Sequence, residues 1–115
     1  MVQHSSSFDQ SFDQSFRALS DATRRGVLER LGKGDATISE LAEQFGMTLT
    51  GMKKHVQVLE DAGLVSTRKV GRVRSCSLGP RRLDLESAWI ADYQRTLEER
   101  YDRLAAFLER TKGAG

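Results

Sequence analysis

Hydrophobic and polar positions change period several times along the chain. In SFDQSFDQSF, Phe8, Phe12 and Phe16 recur every fourth residue and Leu19 follows at the next helical step. That spacing stacks them on one face of a helix from about Phe8 onward. The bland alternative is a frayed tail, since the Ser-rich residues upstream carry no pattern. LSDATRRGVLERLGKGD predicts a second helix, capped by Ser20 or Asp21, with Val27, Leu28 and Leu31 as its apolar side and Gly32 with Gly34 as its end. SELAEQFG predicts a short third helix, capped by Thr37 or Ser39, with Leu41, Ala42 and Phe45 inward and Gly46 as the stop. Only Met47 and Thr48 then precede a further helix from about Leu49 to Ala62. So short a glycine-containing link forces two helices to cross steeply, which is helix-turn-helix geometry.

At 100° per residue, Met52, Val56 and Leu59 share one face of that further helix, with Leu49 and His55 at the borders. Thr50, Lys53, Lys54 and Gln57 fall on the other face. After Gly63 the period shortens: LVSTRKVGRVRSCSL alternates on both sides of Val-Gly-Arg, predicting a two-stranded hairpin with its tip at Lys69 to Arg72. From Pro80 the chain runs almost without a breaker to about Thr111. Within it Ile90, Tyr93, Leu97, Tyr101, Leu104 and Leu108 are spaced 3, 4, 4, 3 and 4, flanked by Trp89 and Phe107. This is a coiled-coil seam, and a helix of about 30 residues extends roughly 45 Å, more than a small domain covers. A second copy of the chain is the expected cover.

Composition narrows the class. The 115 residues are 38% hydrophobic and 30% charged with a single proline, as in an ordinary helix-rich domain. No apolar run approaches the roughly 20 residues that cross a bilayer, and MVQHSSSFDQ lacks the basic start and apolar middle of a secretory signal, so a cytoplasmic location is expected. The lone Cys76 alternates with Leu78 and reads as a small buried side chain in preference to a reactive thiol. Net charge is only +2, yet residues 47–80 hold 6 Lys/Arg against 2 Asp/Glu, whereas residues 1–46 hold 5 against 7 and residues 81–115 hold 7 against 7. The basic excess sits on the second half of the helix-turn-helix and on the hairpin.

Cations in the first turns of a helix are disfavoured by its dipole. A polyanion offsets that cost. A major groove admits one helix whose early residues reach base edges, while a basic loop beside it meets phosphate or the adjacent minor groove. On this reading Thr48 and Thr50 and the first backbone amides bind phosphate, and Thr50 also reaches a base. Lys53, Lys54 and Gln57 face base edges, and Gly51 permits close approach. His55 is equally a phosphate contact or a half-buried packing residue. Arg68, Lys69, Arg72 and Arg74 arm the hairpin, for which the alternative is a solvated loop.

The order LSDATRRGVLERL, then ISELAEQFGMTLTGMKKHVQVLEDAGLVSTRKVGRVRSCSL, resembles the ArsR/SmtB family of winged-helix transcriptional regulators over residues 16–79, and the tail is similar to the long dimerising helix of many members. The resemblance implies a mainly α, homodimeric winged helix-turn-helix that binds double-stranded DNA, represses a promoter through an imperfect palindrome and joins two copies through terminal helices. It implies three parts: a flexible N-terminus over residues 1–7, a DNA-binding domain over 8–79 and a dimerisation helix over 80–112. The dimer interface then comprises Phe12, Phe16, Trp89, Ile90, Tyr93, Leu97, Tyr101, Leu104 and Leu108.

Metal-sensing members carry a Cys-x-Cys-type pair before the turn, or acidic and His ligands on the terminal helix. Here SELAEQ stands in the first place and no histidine follows His55. His4, His55 and Cys76 lie on different elements, and a site needs three or four converging ligands, so no metal and no cofactor are expected. A redox switch through Cys76 is a lesser alternative. No effector is written in the sequence; the aromatic set Phe8, Phe12, Phe16, Trp89, Tyr93 and Tyr101 would be the place for one, although interface packing accounts for it equally. Without a phosphate loop or nucleophile motif, no enzyme is expected. The competing class is a protein-interaction module whose terminal helix captures a different partner.

Overall fold

A computed structural model of the chain describes residues 6–114, and the side chains of residues 10–112. The elements in order are α1 (Ser6–Leu19), α2 (Ala22–Leu31), β1 (Ala36–Thr37), α3 (Ile38–Gln44), α4 (Leu49–Asp61), β2 (Val65–Val70), β3 (Val73–Leu78) and α5 (Asp84–Ala114). They divide into two compact units, Met1–Arg82 and Leu83–Gly115.

The first unit closes around Val27, Leu31, Leu41, Met52, Val56, Leu59, Leu64, Val65 and Cys76, all buried. Burial of each larger side chain contributes about 1.5–3 kcal/mol. The apolar stripe expected on α4 is the one the helix buries. α1 differs from expectation: its helix already begins at Ser6, and among its described side chains those completely buried are Ser15 and Ala18, while Phe12 is half-buried and Phe16 is 38% exposed. Small side chains let α1 lie close against α2 and α4, and the Ser15 hydroxyl is satisfied by donating to the Ser11 carbonyl at 3.0 Å. Phe12 and Phe16 meet edge to face, with ring centroids 5.8 Å apart. The rest of the expected flexible stretch, residues 1–5, and the Phe8 side chain lie outside the described residues.

The hairpin is part of a larger sheet. β1 pairs antiparallel with β3, giving three strands in the order β1-β3-β2 instead of the two expected. Two residues are too few to leave a period in the sequence. Thr37 closes β1 and caps α3 as well, its hydroxyl accepting from the Glu40 amide at 3.0 Å while the Glu40 carboxylate accepts from the Thr37 amide at 2.8 Å. This capping box resolves the choice between Thr37 and Ser39 and holds the Glu40 carboxyl below its usual range, chiefly through the Thr37 backbone hydrogen bond. At the base of the hairpin, the Gly79 amide donates to Leu64 O at 2.8 Å and the Arg81 amide to Gly63 O at 3.2 Å.

In the second unit, α5 starts at Asp84, later than the Pro80 of the sequence reading, directly after Leu83 with a left-handed φ of 62°. Along it Trp89, Ile90, Tyr93, Tyr101, Leu104, Phe107 and Leu108 are 43–64% exposed, and Leu97 is half-buried. Trp89 and Tyr93 stack with centroids 5.7 Å apart.

Candidate nucleic-acid interface

The link between α3 and α4 is fixed by its own backbone. Gly46 takes a φ of +62°, its amide donates to Glu43 O at 3.2 Å and the Met47 amide to Ala42 O at 2.9 Å. That pair of bonds is a Schellman ending, which turns the chain sharply at a left-handed residue that glycine adopts without strain. Thr48 follows at once as the N-cap of α4, its hydroxyl oxygen accepting from the Gly51 amide at 3.0 Å. A Cβ on Gly51 would stand 3.1 Å from that oxygen and 3.2 Å from Met47 Cε, so the missing side chain first of all makes room for the cap. The amides of Leu49 and Thr50 lie outside the helical ladder.

Beyond the cap, Thr50, Lys53, Lys54 and Gln57 are all exposed. Gln57 donates from Nε2 to Asp61 Oδ1 at 2.8 Å, so its amide is already oriented along the helix surface. The hairpin turns through Gly71 and Arg72, with Val70 paired to Val73 and a φ of +64° at Gly71 alone. A left-handed first residue is the type II′ pattern, whose twist suits a tight hairpin. The turn is therefore two positions tighter than expected at its Lys69 side, since Lys69 and Val70 both belong to β2.

Strand alternation divides the basic residues of the hairpin. Lys69 is paired with Arg74 and Thr67 with Cys76, so these lie on the face turned to α4; Arg68, paired with Ser75, lies on the other. A groove of about 290 Å³ runs between α4 and the hairpin, lined by Lys53, Lys69, Arg72 and Arg74 together with Thr37, Ile38, Ser39, Leu49 and Val73. The structure thus brings together one helix cation and three hairpin cations of the predicted set. Lys54 and Arg68 are not among the groove residues; Arg68 instead borders a hollow with Asp35, Ser66, Ser75 and Ser77. Leu49 and Ser39 were not among the predicted site residues. Leu49 lies one helical turn before Lys53, a signal the sequence offered, whereas Ser39 enters only through the tertiary fold.

Hydrogen bonds tie helix to hairpin. Arg74 Nη1 donates to Thr67 Oγ1 at 3.0 Å, and Thr67 Oγ1 donates to Glu60 Oε2 at 2.7 Å. Cys76 lies behind them, fully buried, and burial followed by the nearby Glu60 charge pushes its thiol up to about 11, against the smaller opposite pull of Arg74. His55 is half-buried, with Nδ1 3.1 Å from Arg24 Nη1, a position that leaves both readings of it open. Asp21, not Ser20, caps α2 by accepting from the Arg24 amide at 3.0 Å, which lowers its pKa.

Among the described residues, no group of three or more His, Cys, Asp or Glu is placed to hold a metal, and no helix is long and apolar enough to cross a membrane. His4 lies outside them.

A helix held at a steep turn against its neighbour, with a like-charged hairpin at its side, is what a winged helix-turn-helix DNA-binding protein offers a duplex, and the chain is of that class. Residues 19–68 match a helix-turn-helix domain family. The HTH-type transcriptional regulator Rv2034 of Mycobacterium tuberculosis is 35% identical over 82 residues, which cover 67% of this chain and 77% of the relative. The transcriptional repressor SdpR of Bacillus subtilis is 31% identical over 78 residues, covering 68% and 87%. A crystal structure of an ArsR family transcriptional regulator, RHA00566, superposes with a TM-score of 0.72 at 42% identity, covering 85% of this chain and 97% of that one. The chain belongs to the ArsR family of winged helix-turn-helix transcriptional regulators.

Proposed function

We propose that the protein is a repressor that binds an imperfect DNA palindrome as a homodimer, by binding alone and without catalysis. The observation that carries this reading is the groove in which Lys53 of α4 meets Lys69, Arg72 and Arg74 of the wing. With α4 in the major groove, Lys53, Lys54 and Gln57 face base edges, and lysine suits guanine O6 and N7 as glutamine suits adenine. Thr48 and Thr50 hydroxyls donate to phosphate, Gly51 keeps the backbone close, and His55 adds a further phosphate donor. The wing residues Lys69, Arg72 and Arg74 meet the flanking backbone, with Arg68 on the outer side of the same hairpin. The exposed seam of α5, Trp89, Ile90, Tyr93, Leu97, Tyr101, Leu104 and Leu108 with Phe12 and Phe16, joins two copies, so that the two α4 helices meet half-sites about one DNA turn, ~34 Å, apart. A regulator of this kind works in the cytoplasm, where its operator is.

Selection of bound fragments from random duplexes, followed by fluorescence anisotropy on the recovered site, tests the reading. A twofold-symmetric consensus is expected, as is a loss of about 10–100-fold in affinity for the Lys53→Ala/Lys54→Ala double variant at unchanged thermal stability. Equal binding by the wild type and this variant would overturn it.

A further inference from the structure

All three nitrogens of the Arg24 guanidinium are hydrogen-bonded. Nε donates to Ala18 O at 2.9 Å and Nη2 to Arg17 O at 2.9 Å, closing the C-terminal end of α1, where orphan carbonyls and the dipole favour a cation. Nη1 then reaches across 31 residues of sequence to His55 Nδ1 at 3.1 Å. A guanidinium has donors only and does not lose its proton, so Nδ1 must present a lone pair and Nε2 must carry the hydrogen. The two ring nitrogens point in divergent directions, and with Nδ1 anchored to α2 the Nε2–H is aimed away from it.

We propose that Arg24 is a positioning residue for DNA binding: by accepting only the Nε2–H form of His55 and fixing its ring, it makes the histidine of α4 a single oriented donor to a phosphate oxygen. The inference rests on the reading of α4 as the recognition helix. Three elements meet at this point: the end of α1, the first turn of α2, whose cap Asp21 receives the Arg24 amide, and the middle of α4. The arrangement sets the ring's tautomer and direction before DNA arrives, so the donor need not be reoriented on binding. Packing alone would not require a charged donor at Nδ1.

The test uses the full chain in two arms. In long-range proton–nitrogen spectra of histidine-labelled protein, with His4 identified by a His4→Gln variant, His55 is expected as the Nε2–H form alone, and Arg24→Met is expected to convert it to a mixture of both neutral forms. In the second arm, binding to the selected duplex should fall about 10-fold in Arg24→Met and far less when the same change is made in a His55→Ala background. Should Arg24→Met fail to fold, Arg24→Lys retains a capping cation with a single donor head and is read by the same spectra, with tautomer mixing again expected. An unchanged His55 spectrum in a folded Arg24 variant, or equal losses with and without His55, would reduce Arg24 to a helix cap and overturn the inference. The spectra need no DNA, so they report on Arg24 separately, whereas wild-type protein without preference among duplexes sinks the function on which the inference rests.

Discussion

Single side chains in this protein divide between those that meet solvent with charge and those whose chemistry is suppressed by burial. Cys76 is of the second kind: with its thiol pushed up to about 11, roughly one molecule in a thousand is thiolate at pH 8. Alkylation by iodoacetamide at that pH should run at least roughly 100-fold slower in the folded chain than in urea, as mass spectrometry would measure. Comparable rates would place the thiol at the surface. Asp21 and Glu40 act in the opposite sense, as caps whose carboxyls are lowered by the backbone amides they accept from. A depressed carboxyl stabilises the fold fully above its unfolded pKa, near 4, and loses that contribution as pH falls through the still lower folded value. Urea midpoints should therefore drop between about pH 5 and pH 2, and Asp21→Asn, which keeps a capping side chain without the charge, should flatten part of that drop. An identical pH profile for the variant would remove Asp21 from the account.

Among the elements, α2, α3, α4 and the hairpin were legible because their signals are local: apolar stripes at helical period, cap residues, a left-handed glycine after α3 and alternation on both sides of Val-Gly-Arg. α1 was legible as a helix but not in orientation. The four-residue phenylalanine repeat is its loudest feature, yet close approach to two helices selects Ser15 and Ala18 for the inner side. β1 was missed because Ala36–Thr37 exists only through its pairing with β3. The candidate site was legible as a set of residue types, while its division was not: Arg68 and Lys69 are neighbours in sequence and on opposite faces of the wing, and the Arg24–His55 link spans two helices. Packing at the wing's base makes a further demand. A Cβ on Gly79 would lie 2.3 Å from Gly63 O and 2.9 Å from the Val65 amide nitrogen, and neither backbone atom can swing aside as a side-chain tip would. Gly79→Ala should cost about 2–3 kcal/mol in chemical denaturation, at the upper end for overpacking. A loss below about 0.5 kcal/mol, the ordinary scatter of surface substitutions, would mean that the strands part more readily than their geometry indicates.

For the molecule as a whole, α5 is the surface proposed to join two copies. Its 31 residues carry, among the described side chains, eight large apolar ones at least 43% exposed, more than a solitary helix keeps in water. Tyr101→Glu with Leu104→Glu should convert the species seen by sedimentation from dimer to monomer and lower affinity for the full palindrome far more than for a half-site. A dimer that survives both changes would move the interface elsewhere. The wing stands apart from all of this. Its two strands are stitched together where they leave the body, by Gly79 to Leu64 and Arg81 to Gly63, and nothing at its far end but Gly71 and Arg72 is needed to reverse the chain. It is a branch that can be lengthened or trimmed at the tip, provided residues are added or removed in pairs so that Lys69 and Arg74 keep their side. Related regulators sharing this body could thus diverge in how far along a duplex they reach while leaving α4 and α5 untouched.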